Sequence, residues 1–320
     1  MGRRFISVIL ILVGLSAVGA YQYWSWVTRE PISIRYGYPP YADSAPLYVA
    51  VEKGFFKEEN LNVSLFKFFT GVKTLEAATA GNLDGGFVAI MTALPAFQAG
   101  VDFRFAGSMS YYDIDHDLTG YFVLMNSSIQ KVEDFRGKTF AVRGIDATAM
   151  IPLLKALEKH GLTVAEVKVV VIRDQLDIME ALLSGSVDVA HLAEPVLTQA
   201  LGTGKLRIMY RPYTEVFPDH KFPMATSFFM KSFIDQNKTA VDGFIKAFNR
   251  AVDWIGTHPW ETKAIIANWT GMDLELAGKM TLHAWSKEVD REVLEDVIDL
   301  LLEYGYLEKD IAAIDVLYQG

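Results

Sequence analysis

The sequence predicts an α/β protein with two similar lobes and a helical C-terminal third. From Ile32 to about Arg211 of the 320 residues, strand-like and helix-like stretches alternate, which is typical of parallel α/β layers. The stretches EAATAGNLDGGFVA (76–89) and EALLSGSVDVAHLA (180–193) share five residues at one constant offset of 104. Beyond Arg211 the pattern changes to long amphipathic helices.

In the first half, the apolar pattern and the glycine positions define each element. NVSLFKFF (62–69) alternates like a half-buried strand, and VKTLEAATAG (72–81) is a helix that Gly81 ends in the left-handed conformation. The predicted strands are 32–38, 62–69, 84–90 and 103–110, and the predicted helices are 47–56, 72–81 and 93–100.

The second half repeats this pattern before the helical part begins. A short helix, a glycine turn and a strand fall within 131–142. The other predicted strands are 120–127, 166–172 and 187–193, and the predicted helices are 147–161, 177–185, 238–259 and 290–307.

The repeat predicts one helix–turn–strand unit in each of two separate parallel sheets. Gly81 and Gly185 turn a helix back toward its sheet, and Asp84 and Asp188 stand where the next strand begins. Two such lobes form a clam that closes on a ligand by hinge motion.

Composition excludes several classes of function. With 30 Lys and Arg against 39 Asp and Glu, the net charge is −9, which does not suit a phosphate backbone, so no nucleic-acid partner is expected. The absence of cysteine excludes disulfides, thiolate metal sites and cysteine nucleophiles. No catalytic motif and no cofactor fingerprint is found, so we expect no cofactor and no enzyme activity.

The N-terminus, residues 1–30, reads as a signal peptide or an N-terminal membrane anchor. A basic start precedes an uncharged apolar run over 5–20, and aromatic residues follow at 21–26. We therefore expect an exported protein that is periplasmic or at the outer face of the cytoplasmic membrane, with anchoring by residues 5–20 left open.

Five segments in order resemble the substrate-binding proteins of nitrate/sulfonate/taurine-type ABC importers, a superfamily that also holds thiamine-pyrimidine and riboflavin-type binding proteins. The segments are SAPLYVAVEKGFFKEENLNVSL (44–65), GNLDGGFVA (81–89), VEDFRGKTFAVRG (132–144), LLKALEKHGLTVAEVKVV (153–170) and ALLSGSVDVAHLAEP (181–195).

The resemblance implies a type-II periplasmic-binding-protein fold, with two α/β lobes joined by two crossover segments. Lobe 1 would comprise 31–115 plus 215–320, and lobe 2 would comprise 116–214. It further implies a monomer that carries a small solute to an ABC permease in the membrane.

The candidate ligand site lies in the loops beyond the carboxyl ends of the predicted strands, where open α/β sheets bind ligands. Small residues at helix N-termini allow an anion to reach unpaired N–H groups, and tyrosines line such clefts. The predicted ligand-binding residues are Tyr38, Tyr41, Ser44, Thr70, Gly71, Val72, Tyr111, Tyr112, Arg143, Ala147, Thr148 and Glu194.

Two of these residues favour different ligands. Arg143 would grip the acidic group of an organic anion such as a sulfonate, which we favour. Glu194, expected at the cleft mouth, would accept N–H bonds from a thiamine-pyrimidine or flavin-like heterocycle. His191 falls in a predicted strand, where we expect a core histidine with its hydrogen bonds satisfied.

Other readings are a sensor domain, a cation site and an enzyme. Asp113, Asp115, His116 and Asp117 lie on the predicted crossover, but they lack the glycine and glutamate of a calcium loop, so no metal is expected. The related thiamine-pyrimidine synthases carry a cysteine-rich motif, which this chain lacks.

Overall fold

The computed structural model describes residues 30–112, 118–213 and 222–320, which form an α/β fold with two sheets. We call the described residues 30–112 and 222–320 half I, and residues 118–213 half II. The predictions for residues 1–29 and for the Asp113–Asp117 cluster concern residues outside the described part of the chain.

The first segment of half I alternates strands and helices. Its elements are β1 (Ile32–Tyr38), α1 (Ala45–Glu52), α2 (Phe55–Glu58), β2 (Leu61–Lys67), α3 (Gly71–Thr79), β3 (Gly85–Ala89), α4 (Ile90–Gln98) and β4 (Phe103–Tyr112). A 3-10 turn at Ala42–Ser44 precedes α1.

Half II follows the same order. Its elements are β5 (Thr119–Leu124), β6 (Thr139–Val142), α5 (Ala147–Lys159), β7 (Lys168–Val171), α6 (Gln175–Leu183), β8 (Val189–Ala193), α7 (Val196–Gly202) and β9 (Leu206–Tyr210), with 3-10 turns at Val132–Phe135 and Val164–Glu166.

The chain then returns to half I. The elements here are β10 (Phe222–Met230), α8 (Lys231–Thr257), α9 (Pro259–Thr270), α10 (Leu274–Lys279), β11 (Ala284–Ser286), α11 (Arg291–Glu303) and α12 (Ala313–Val316). Helix α8 is kinked at Asn237, whose backbone is not helical.

The two copies of the sequence repeat lie in different sheets. Sheet I has the order β11-β4-β10-β3-β1-β2, and sheet II has the order β7-β6-β8-β5-β9. The strands β2-β1-β3 and β7-β6-β8 are parallel, while β10, β5 and their other neighbours pair antiparallel. The sheets are therefore mixed, and only three strands of each form the parallel layer that the alternation predicts.

Structural equivalence at the offset of 104 extends beyond the two matching stretches 76–89 and 180–193. In sheet I, Gly37 lies opposite Gly86, and in sheet II Ala141 lies opposite Ala190. Helix α3 and helix α6 begin and end at positions separated by the same offset. The repeat is thus a property of three strands and a helix, including stretches whose sequences no longer match.

The two repeated aspartates, Asp84 and Asp188, form hydrogen bonds to a neighbouring parallel strand. Asp84 Oδ2 accepts the N–H of Arg35 at 2.7 Å, and the Asp84 N–H donates to the Arg35 carbonyl at 2.8 Å. Asp188 Oδ2 and N–H make the same two bonds to Thr139, at 2.8 and 2.9 Å. A carboxylate at this position therefore satisfies a strand-end N–H group that the sheet leaves unpaired.

The glycines before these aspartates adopt the conformation that the sequence predicts. Gly81 has φ 76° and Gly185 has φ 74°, in the left-handed region that a side chain rarely enters.

Strand β10 is the largest departure from the predicted elements. It lies near the centre of sheet I, between β3 and β4, in a region predicted to be mostly helical. Its sequence FPMATSFFM is buried on both faces, so it has no alternation of period two, and Pro223 argues against a strand. Pairing with β3 and β4, which are distant in sequence, therefore makes this segment a strand.

The chain passes between the sheets twice, from β4 to β5 and from β9 to β10. Residues 113–117 and 214–221 of these passages lie outside the described residues. Among the described helices, none combines the length and apolar character needed to span a bilayer.

Candidate functional site

A cavity of about 560 Å³ lies between the two halves, at the carboxyl ends of the parallel strands. Half I contributes residues that follow β1, β2 and β3, and half II contributes residues that follow β6 and β7. A second cavity of about 50 Å³ adjoins it, because Tyr41, Asp43, Arg143, Thr148 and Met224 line both. We call them the outer chamber and the inner chamber.

The structure brings most of the predicted ligand-binding residues to these chambers. The outer chamber is lined by Tyr41, Thr70, Gly71, Val72, Arg143 and Thr148 from the predicted set. The inner chamber adds Tyr112 and Glu194.

Four predicted residues line neither chamber. Tyr38 packs edge-on against Tyr48 and Trp269, with ring centroids 5.8 and 6.0 Å away. Ser44 is buried and donates its hydroxyl to the Pro39 carbonyl at 2.8 Å, and Ala147 is buried in a core cluster. Tyr111 pairs with Ala284 of β11 in sheet I. The side chains of these four residues therefore point away from both chambers.

Arg143 stands one residue beyond β6, and its guanidinium carbon lies 4.9 Å from the centre of the Tyr41 ring in half I. Burial alone would lower the pKa of Arg143, but Tyr41, Asp146 and Asp43 outweigh it and leave the pKa raised. The guanidinium is therefore charged at every physiological pH, and it lies between the two halves.

Two helix N-termini face the outer chamber from opposite halves. Thr70 caps α3 by accepting the N–H of Lys73 at 3.4 Å, and Asp146 caps α5 by accepting the N–H of Ala149 at 3.4 Å. A Cβ on Gly71 would lie 2.6 Å from Val88 Cγ2, so only glycine lets α3 approach β3 this closely. The first N–H groups of such helices favour an anionic or acceptor group.

Glu194 does not lie at the mouth of the cleft, where the sequence placed it. It is 3% exposed, and both carboxylate oxygens accept bonds from Thr198, from the hydroxyl at 2.7 Å and from the backbone N–H at 3.1 Å. Burial raises the pKa of Glu194 to about 7, although the bonds from Thr198 and the charge of Arg211 oppose the rise. The carboxyl group caps α7 while bordering the inner chamber.

The sequence analysis did not assign Asp43 or His191 to the ligand site, although both line the inner chamber. Asp43 Oδ1 is buried and has no hydrogen-bond partner among the described residues, and burial raises the pKa of Asp43 to about 6 against the opposing charge of Arg143. His191 is 9% exposed, and its Nε2 likewise has no partner among the described residues. Burial, and then Arg143, lower the pKa of His191 to about 3.

The expectation that His191 is a satisfied core histidine is therefore wrong. Its repeat partner in the structure is Phe87, which lines the outer chamber. For Asp43 the sequence did hold a signal, since it lies between Tyr41 and Ser44 and its repeat partner is Ala147, all three of which are predicted ligand-binding residues.

Contacts between the halves flank the chambers. Thr92 and Thr148 place their hydroxyl oxygens 3.2 Å apart, and the Tyr304 hydroxyl donates to Glu158 at 2.6 Å. The Tyr306 hydroxyl also donates to the Ile145 carbonyl at 3.4 Å. These bonds hold the halves against each other with the cavity between them.

The described residues contain no group of three or more His, Asp or Glu side chains placed to hold a metal ion.

The chain is similar to known solute-binding proteins and to a group of synthases. The "Putative aliphatic sulfonates-binding protein" of Bacillus subtilis (strain 168) is 27% identical over 298 residues, which cover 92% of this chain and 80% of that protein. A 4-amino-5-hydroxymethyl-2-methylpyrimidine phosphate synthase of Candida albicans (strain WO-1) is 24% identical over 233 residues, 70% of this chain and 66% of the enzyme.

The fold matches that of the alkanesulfonate-binding protein SsuA from Xanthomonas axonopodis pv. citri bound to MOPS. The TM-score is 0.76 at 17% identity, over 92% of this chain and 100% of that one. This likeness confirms the periplasmic-binding-protein fold expected from the sequence. A family model described as NMT1/THI5 like matches residues 41–262, more than half of the sequence, and the chain belongs to that family.

Proposed function

We propose that the chain is the extracytoplasmic solute-binding component of an ABC importer, and that it captures a small organic anion between two lobes. The observation that carries this proposal is the outer chamber of about 560 Å³, which residues of both halves line at their strand ends. That volume is within the range of small-molecule sites. The lobes would be 31–115 plus 215–320 and 116–214.

The preference for an anion depends on Arg143 and the helix N-termini around it. The partly buried guanidinium of Arg143 can bind a sulfonate or carboxylate through two parallel hydrogen bonds, and the unpaired N–H groups of α3 add acceptor-binding capacity. The relatives named for sulfonate binding support the same class of ligand.

Capture would work through a shift between open and closed lobes. A solute in the outer chamber touches Thr70 and Val72 in one half and Arg143 in the other, so it gains these contacts together only when the halves approach. Ligand then stabilises the closed form by its differential affinity. A membrane permease would recognise that form, and export would depend on residues 1–30.

A thiamine-pyrimidine or flavin-like heterocycle is the second candidate. The Tyr41 ring and the Phe69 ring, which is 47% exposed, both line the outer chamber and could stack on a flat ligand. The synthase relative adds weight to a pyrimidine. Synthase activity itself is disfavoured because the chain has no cysteine.

A thermal-shift screen of the exported, purified chain tests the proposal, since a ligand that binds only the native state raises the melting temperature. The panel holds alkanesulfonates, taurine, nitrate, thiamine precursors and riboflavin. We expect a sulfonate to raise the melting temperature of the wild type and of the exposed-surface control Arg291→Ala, but not of Arg143→Ala. A response only to a pyrimidine or flavin, lost in Glu194→Gln, would instead establish the second candidate.

A further inference from the structure

We propose that the inner chamber is a distinct subsite that binds an N–H donor group of the solute, an ammonium or an amino substituent, through Asp43 Oδ1 and His191 Nε2. This inference rests on the proposed function, because it assigns the second chemical group of the same solute. The solute would then carry an anionic group in the outer chamber and an N–H donor in the inner one.

The two unpaired atoms are the first argument. Buried polar atoms are nearly always hydrogen-bonded, and an orphaned one costs free energy. Asp43 Oδ1 and His191 Nε2 are both buried without a partner among the described residues, and both residues line the inner chamber. They come from opposite halves, so one donor group that bonds both also ties the halves together.

The chemistry of the two atoms favours a hydrogen-bond donor on the solute. A carboxylate oxygen only accepts hydrogen bonds, and a neutral histidine accepts at Nε2 when its proton is on Nδ1. The low pKa of His191 keeps the ring neutral. An anionic group of the solute would be repelled by Asp43 and would leave both acceptors unsatisfied.

The charges around the chamber argue in the same direction. Among the residues that line it, Asp43 and Glu194 carry carboxyl groups and Arg143 carries a guanidinium, so two carboxyl groups face one cation. His283, Tyr112 and Tyr213 complete the polar wall. One added positive charge would balance the ionised carboxylates, and a neutral amino group would be accommodated with one of them protonated.

The size of the chamber limits what enters. Liquid water occupies about 30 Å³ per molecule, so a chamber of about 50 Å³ admits only the end of a solute. Arg143 and Tyr41 border both chambers, and the donor group must therefore lie within a few bonds of the anion held at Arg143.

Titration calorimetry of the full chain with matched pairs tests the subsite. Taurine is compared with ethanesulfonate, which lacks only the amine, and 4-aminopyrimidine is compared with pyrimidine. The first pair reports an aliphatic ammonium and the second an amino group on a heterocycle. We expect the amine-bearing member of one pair to bind at least about 10-fold more tightly, as a charge-assisted hydrogen bond in a buried site would give.

Two variants assign this preference to the proposed atoms. Asp43→Asn and His191→Phe should each reduce the ratio within the responding pair to about 3-fold or less. Phenylalanine retains a ring for the packing of His191 against Tyr121 and Tyr213, so this variant covers the case in which Asp43→Asn fails to fold. The exposed Asp299→Asn is the control and should keep the wild-type ratio.

The outcomes separate the inference from the proposed function. Equal binding of the two members in both pairs, or a preference that survives in both variants, would overturn the subsite and leave the proposed function standing. Failure of all four probes and of the wider sulfonate panel would overturn the anion-binding function and the subsite with it.

Discussion

Burial of Glu194 makes the stability of the protein depend on pH, in a direction opposite to that of an ion-paired carboxylate. Its pKa rises from 4.5 to about 7 on folding, so the folded protein holds a proton that the unfolded chain releases. The associated stability is fully present below pH 4.5 and is lost as the pH rises through about 7. At 1.36 kcal/mol per unit, the loss amounts to about 3 kcal/mol.

Glu194→Gln isolates this contribution, because glutamine has no proton to lose and keeps an oxygen that accepts a bond from Thr198. Urea unfolding, followed by the fluorescence of the six tryptophans, gives the free energy of unfolding at pH 5, 6, 7 and 8. We expect the wild type to lose about 2.5 kcal/mol relative to the variant between pH 5 and pH 8, since part of the full change of about 3 kcal/mol falls below pH 5.

Comparison of the two proteins cancels the titration of groups elsewhere, including His191. Glu308→Gln, the same substitution at an exposed position, is the control. A difference between wild type and Glu194→Gln that does not change with pH would show that folding leaves the pKa of Glu194 unshifted.

Three further predictions follow from the fold and from the contacts between the halves. Asp188→Ala should lower the free energy of unfolding by about 1.5–3 kcal/mol, since it leaves a strand-end N–H group unpaired. Asp84→Ala should lower it further, because Arg35 also loses its ion pair. Equal or negligible effects of the two substitutions in urea unfolding would contradict this. Gly71→Ala should destabilise the protein by about 1–3 kcal/mol, because the added methyl group would collide with Val88. Gly256→Ala, which has open space around it in α8, should stabilise the protein by about 0.5–1 kcal/mol. Thermal denaturation measures both changes, and shifts of the same sign would contradict the prediction. Tyr304→Phe removes a 2.6 Å hydrogen bond between the halves and should weaken solute binding about 3-fold to 10-fold. Tyr318→Phe removes a 2.6 Å hydrogen bond within half I and should leave the affinity measured by calorimetry unchanged. Equal effects of the two substitutions would mean that the bond between the halves does not assist closure.

The sequence predicts well those elements whose formation depends on local patterns. β1 has the bounds that its sequence predicts, and α3 and α6 differ by only one or two residues at each end. Helix periodicity, glycine stops and strand alternation all act within about a dozen residues, so they can be read directly.

The remaining elements depend on contacts between distant parts of the chain. β10 becomes a strand because β3 and β4 flank it, and its own sequence contains no period. The loops that line the chambers can be predicted from the strand ends. Whether Tyr38 or Tyr41 lines a chamber depends on the direction of each side chain, which the sequence pattern does not give. Burial of Glu194 and the exposure of Asp43 to the chamber are set by how the two halves meet, which no local pattern encodes.

The repeat supplies the scaffold of the site twice, but the two copies supply different chemistry. Six pairs at the offset of 104 line the chambers from equivalent positions: Pro39 and Arg143, Tyr41 and Ile145, Phe69 and Arg173, Gly71 and Gln175, Phe87 and His191, and Ala89 and Ala193. In three of them, which pair Pro39 with Arg143, Phe69 with Arg173 and Phe87 with His191, half I offers an apolar side chain where half II offers a nitrogen-bearing one. Strand register and helix ends are retained while these side chains differ, so the fold and the chemistry of the chambers depend on separable positions. A symmetric ligand would need matching groups from both halves, whereas this arrangement suits a solute whose two ends differ, such as one with an anionic group beside an N–H donor.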